Sequence, residues 1–112
     1  MGYRKRPSTS TWGYKKELLD LYGEYPDCPY CENTIHLSQM HVDHIVPVVS
    51  RGSNEKYNKI AVCSECNQKK YTSTLLEYLL LIKVNPERVY WKLKGLHKRI
   101  PKDLLEYLRF PE

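Results

Sequence analysis

The stretch Ile60-Ala-Val-Cys-Ser-Glu-Cys-Asn67 decides how this chain folds. A brief apolar strand, Ile60-Ala-Val62, runs into a Cys-x-x-Cys turn, and the turn opens onto an asparagine at the start of a helix. The same turn stands upstream as Cys28-Pro-Tyr-Cys31. Each turn can present two thiolates to one ion with backbone amides facing the sulfurs, and the pair completes a tetrahedral Cys28, Cys31, Cys63, Cys66 zinc site. That site has no open coordination position, so the one zinc ion it implies is structural. Two separate redox dithiols, or four ordinary buried thiols, would leave the matched spacing an accident. Apparent zinc binding of about 10–16 kcal/mol compares with domain stabilities of about 5–15 kcal/mol, so the cluster can decide whether the chain folds.

The rest of the chain suits a small globular protein. Its 112 residues fit one domain with a modest core. Apolar residues make up 41% and charged residues 28%, and ten tyrosines raise the aromatic share, so folding is expected over disorder. The formal charge of +5, of which residues 75–112 supply +3, suits a polyanionic partner. Tyr3-Arg-Lys-Arg6 followed by Pro7-Ser-Thr-Ser-Thr11 reads as a basic flexible arm over residues 1–11, leaving residues 12–112 as a single domain. No apolar run approaches the roughly 20 residues of a membrane span, and the N-terminus lacks the apolar segment of a secretory signal. An intracellular, reducing setting is therefore expected, in which cysteines bind metal more readily than they form disulfides.

Working outward, residues 12–22 place Tyr14, Leu18, Leu21 and Tyr22 on one helical stripe, with Ser10 or Thr11 as N-cap and Gly23 as stop. The region from His36 to Ile45 is long enough for a hairpin whose second strand ends at Pro47. After Cys66, Tyr71, Leu75, Tyr78, Leu79 and Ile82 recur at helical spacing. Leu76, Leu80 and Leu81 widen that stripe until it nearly encircles the helix, which predicts cover on more than one side. Asn85 and Pro86 supply an N-cap and first helical residue, Gly95 a stop, and Pro101–Leu108 a further helical turn or two. Tyr90 and Trp91 suit either the core or a dimer surface.

Between the knuckles lies His41-Val-Asp-His-Ile-Val-Pro47, an acid beside an imidazole. Val42-Asp-His-Ile-Val-Pro47, Gly52-Ser-Asn-Glu55, Asn58, Cys63-Ser-Glu-Cys-Asn67, Lys69 and Lys70 together resemble the HNH endonucleases in order and spacing. The resemblance covers residues 28–70; residues 71–112 form a C-terminal helical part outside it. It implies an α+β fold: a small ββα-metal core stapled by the structural zinc and flanked by N- and C-terminal helices. It also implies His44 as general base, Asp43 and Asn67 as ligands of one catalytic Mg²⁺ or Mn²⁺ ion, and Asn58 as the residue that orients the base. Asn67 stands where the family's name has a second histidine, and oxygen ligands shift the expected ion toward Mg²⁺ or Mn²⁺.

The chemistry agrees with that assignment. In-line hydrolysis of a phosphodiester needs an activated water on one side of phosphorus and charge stabilisation at the leaving 3′ oxygen on the other. Adjacent side chains that splay apart at a strand end can serve both sides. An imidazole with pKa near 6.5 is mostly neutral at pH 7 and can take the proton, provided that Asn58, or a backbone carbonyl that it positions, fixes its tautomer. Arg51, Lys69 and Lys70 are candidate phosphate contacts, and His41, two residues before Asp43, is a candidate accessory to the metal or a phosphate.

The expected activity is metal-dependent cleavage or nicking of DNA, leaving 5′-phosphate and 3′-hydroxyl ends. RNA offers the same phosphodiester chemistry, and the cysteine bracketing also resembles phage junction-resolving endonucleases. A different class, a non-catalytic zinc module binding nucleic acid or protein, uses the same residues as scaffold. The lack of an obvious recognition helix points to low sequence selectivity or to a partner, either a second copy or another protein.

Overall fold

The computed structural model describes residues 7–109. Its α+β architecture runs α1 (Pro7–Tyr22), β1 (Met40–His44), β2 (Lys59–Cys63), α2 (Ser64–Lys70), α3 (Leu75–Leu81), α4 (Pro86–Gly95) and α5 (Lys102–Leu108). The basic run at residues 3–6 lies outside the described residues. Pro7–Thr11, expected to be part of the arm, instead forms the first turn and a half of α1, because proline's fixed φ and missing N–H suit a helix start. Ser10 and Thr11 are therefore interior to the helix and do not cap it. Gly23 ends it as expected, with φ +83° and its N–H on the Leu19 carbonyl at 2.9 Å.

β1 and β2 pair antiparallel, with Asp43 opposite Ile60 and His44 opposite Lys59. β2 is buried at Ile60, Ala61, Val62 and Cys63, as an unbroken apolar run requires when both faces are covered. α1 and α2 both pack on this strand pair. The hairpin expected within residues 36–45 does not form: Leu37–Gln39 is a 3-10 turn, and His36 Nδ1 caps it by accepting from the Ser38 amide at 3.1 Å. That local bond bends the backbone before Met40, so β1 pairs across the longer loop with β2.

The helix expected from Tyr71 onward is also interrupted. α2 stops at Lys70, and Tyr71 adopts φ 42°, ψ −107°. A new helix begins at Thr74, whose hydroxyl accepts from the Glu77 amide while the Glu77 carboxylate accepts from the Thr74 amide, both at 3.1 Å. This reciprocal cap is a Thr-x-x-Glu signal present in the sequence. Leu75, Tyr78 and Leu79 are buried, whereas Leu81 is 73% exposed, so α3 is covered on one face only. In α4, Asn85 caps the Glu87 amide at 3.0 Å and Pro86 opens the helix as expected. Gly95 stays helical, and the left-handed residue beyond the helix is His97 at φ 58°. Leu18, Ile60, Val62, Leu79, Val89, Leu93 and Leu104 meet in one core, with Tyr90 inside and Trp91 out. Among the described residues no helix is long and apolar enough to cross a membrane.

Candidate active site and metal centre

The four cysteine sulfurs lie within 4.8 Å of one another. Cys28 and Cys66 sulfurs are 3.8 Å apart and those of Cys31 and Cys63 3.7 Å. A tetrahedron of Zn–S bonds near 2.3 Å has edges of about 3.8 Å, so the spacing fits zinc. The Cys63 amide donates to the Cys28 sulfur, and the Cys66 amide to the Cys63 sulfur, both at 3.3 Å, which favours the thiolate form. Hydrogen bonding from the Cys66 thiol holds Cys28 down at about 5 and pushes Cys66 well up, while burial drives Cys31 up to about 12. Four thiolates this close need a cation among them, and the donor set could hold a zinc ion.

This cluster also sets the direction of α2. Cys63 is at once the last residue of β2 and the N-cap of α2, so the helix that carries Asn67 leaves from a cysteine of the cluster. On the other side, the first knuckle is closed by the Glu32 amide on the Cys28 carbonyl at 2.9 Å, with Glu32 at φ 70°.

Asp43, His44 and Asn67 line one open cleft of about 460 Å³, together with Gln68, Tyr71 and the Val48–Val49 pair. The structure thus brings together the three residues that the sequence singled out for the chemistry. Asp43 is nearly buried. Its Oδ2 accepts from the Tyr30 hydroxyl at 2.8 Å and faces the Lys70 ammonium at 3.1 Å, so both partners occupy the same oxygen. Burial pushes the Asp43 carboxyl up, opposed by the Lys70 charge, and pushes Lys70 down, opposed by Asp43. Lys70 also donates to the His44 carbonyl at 2.8 Å.

The His44 ring places Nε2 2.8 Å from Asn54 Oδ1. With Nε2–H donating to that amide oxygen, Nδ1 carries the lone pair. Asn58, fully buried, spends its side-chain hydrogen bonds elsewhere than on the imidazole. Its Oδ1 accepts from the Val46 amide at 3.0 Å, and its Nδ2 donates to the carbonyls of Val46 at 3.0 Å and Ser53 at 2.8 Å. Asn58 therefore laces the loop shut, and Asn54, the next residue after Ser53, meets the imidazole of His44. Gly52 allows this closure: a Cβ there would collide with the Val46 carbonyl oxygen, while the Gly52 amide reaches the Pro47 carbonyl at 2.9 Å.

The remaining candidates separate. Lys70, expected to contact phosphate, is fully buried, and its ammonium is taken up by Asp43 and the His44 carbonyl. Lys69 is exposed and paired with Glu65 at 2.7 Å. Arg51 is exposed at φ 68° and His41 is exposed opposite Val62, and neither lines the cleft. Sequence reasoning gave no role to Tyr30 or Asn54. Tyr30 sits inside the first knuckle and Asn54 inside the Gly52-Ser-Asn-Glu55 stretch, so position in the motif was the available signal.

Residues 28–73 match the family model of the HNH endonucleases, so an HNH endonuclease domain occupies this part of the chain. The chain is 48% identical over 44 residues to the CRISPR-associated endonuclease Cas9 of Corynebacterium diphtheriae, covering 38% of this chain and 4% of that protein. It is 46% identical over 55 residues to the Cas9 of Actinomyces naeslundii, covering 48% of this chain and 5% of that protein. The similarity thus spans about a twentieth of the length of these relatives. The two strands, the following helix and the cysteine cluster are consistent with a ββα-metal core.

Proposed function

We propose that this chain hydrolyses DNA phosphodiester bonds, with His44 as general base and Asp43 and Asn67 as ligands of one Mg²⁺ or Mn²⁺ ion, leaving 5′-phosphate and 3′-hydroxyl ends. The observation that carries the reading is the convergence of Asp43, His44 and Asn67 on one open cleft. A carboxylate and a carboxamide are hard oxygen donors, which suit those ions. When bound, the ion supplies charge neutralisation at the leaving 3′ oxygen.

The chain's own residues do the rest. His44 Nδ1 takes a proton from water as the new O–P bond forms and the bond from phosphorus to the 3′ oxygen breaks, while Asn54 holds Nε2–H and keeps the ring from turning. Tyr30 and Lys70 grip Asp43 by Oδ2, and Oδ1 would be the oxygen offered to the ion. The four cysteines, loaded with zinc, hold β2 and α2 at the angle that presents Asn67. The similarity to stretches of two endonucleases supports a nuclease at this site.

A general base typically contributes about 10²–10⁴ in rate. His44→Ala is therefore expected to lose plasmid nicking by that factor while zinc content and circular dichroism stay those of the parent, and EDTA should silence the parent. Equal nicking by parent and variant would remove His44 from the mechanism.

A further inference from the structure

Much of the net charge lies outside the HNH match, and the fold brings part of it back to the cleft. Two contacts clamp the segment after α4 to the loop leading into Asn58: the Arg99 amide donates to the Tyr57 carbonyl at 2.7 Å, and the buried Lys98 ammonium donates to the Lys56 carbonyl at 3.2 Å. Lys98 is spent on Glu17, 2.9 Å away. Arg99 and Lys102 have no ion pair among the described residues. Both line a groove of about 320 Å³ with Ser50, Thr74 and Asp103, and this groove shares Pro47 as a wall with the cleft that holds His44.

We propose that the groove is a subsite for a DNA phosphate flanking the scissile one, neutralised by Arg99 and Lys102, with the Ser50 and Thr74 hydroxyls as neutral donors. This rests on the phosphodiesterase reading of the neighbouring cleft. Two cations against the single Asp103 carboxylate leave the groove net positive, and the clamp to Tyr57 and Lys56 presets its wall before any ligand arrives, which lowers the ordering cost of binding. The C-terminal part then supplies the backbone grip that the small core lacks. Such a grip positions DNA without reading its sequence.

Each phosphate neutralised on duplex DNA steepens the dependence of log K on log salt by about 0.9. The test titrates a short fluorescent DNA duplex with Mg²⁺ present, in a His44→Ala background so that the probe stays whole, across roughly 50 to 200 mM salt. Arg99→Gln with Lys102→Gln is expected to flatten the slope by about 0.9, the share of the one phosphate they neutralise together, and Asp103→Asn, which adds no cation, to tighten binding. Lys83→Gln with Lys94→Gln, two cations that line neither cleft, should leave the slope nearly unchanged. The proposal is overturned if the groove pair leaves the slope unaltered, if the remote pair flattens it equally, if Asp103→Asn weakens binding, or if the unsubstituted groove binds no duplex. Plasmid nicking by the parent, run alongside, tests the nuclease reading separately: failure to nick with the slope difference intact would discard the chemistry and keep the subsite.

Discussion

Cys66 and Asn67 are adjacent in sequence and belong to sites of opposite design. In the cysteine cluster every sulfur faces the others, backbone amides close the sides, and three of the four residues are buried. In the neighbouring cleft only the rear is closed: Tyr30 and Lys70 hold one oxygen of Asp43 from behind, Asn54 holds one nitrogen of His44, and the other faces of these groups open onto solvent-accessible space. The cluster turns its polar atoms toward one another, whereas the cleft leaves part of its polar groups open to a ligand.

Removing zinc should break that comparison most severely. About 10–16 kcal/mol of apparent binding exceeds or matches the stability of a domain this size, so a chelator is expected to unfold the core, cleft included; native circular dichroism in protein shown to be metal-free would refute the structural role. Reloading sharpens the point. Near pH 7, zinc should displace protons from Cys31, which burial holds up at about 12, and from Cys66, so affinity rises with pH. A calorimetric binding enthalpy that ignores the buffer's ionisation heat would contradict this.

Lys70 offers the next largest effect. Breaking a buried ion pair from one side costs about 3–5 kcal/mol, so Lys70→Met should lose that much in urea unfolding, and adding Asp43→Asn should recover part of it by removing the stranded charge. A loss unchanged by the second substitution would mean Lys70 stabilises by packing alone. Asn54 comes last: Asn54→Ala is expected to lower kcat roughly 10–100-fold, by analogy with partners that orient metal-bound histidines, with KM and stability unmoved and Asn54→Asp restoring part of the rate. If KM rises while kcat holds, Asn54 belongs to substrate binding and leaves the tautomer to another group.

Asp43, His44 and Asn67 are picked out through the resemblance of the surrounding motif to the HNH endonucleases, and the structure brings all three to one cleft. Lys69 and Lys70 both look like phosphate contacts because they share the helix that bears Asn67, yet Lys70 is fully buried. The structure separates them by helix phase, turning Lys69 toward Glu65 and solvent and Lys70 inward under β1. The break at Tyr71 was missed because apolar periodicity continues across it, although the Thr74–Glu77 capping pair marks the restart.

By itself the sequence determined the sulfur cage, the strand that enters it and the helix that leaves it, since a four-thiolate ion site admits few backbone paths at that spacing. It did not determine which asparagine meets the imidazole, which lysine is sealed inside, or that Arg99 returns to the wall beside Pro47. Those facts depend on contacts between segments far apart in the chain, where packing and the need to satisfy each buried polar group choose among partners that local pattern leaves equivalent.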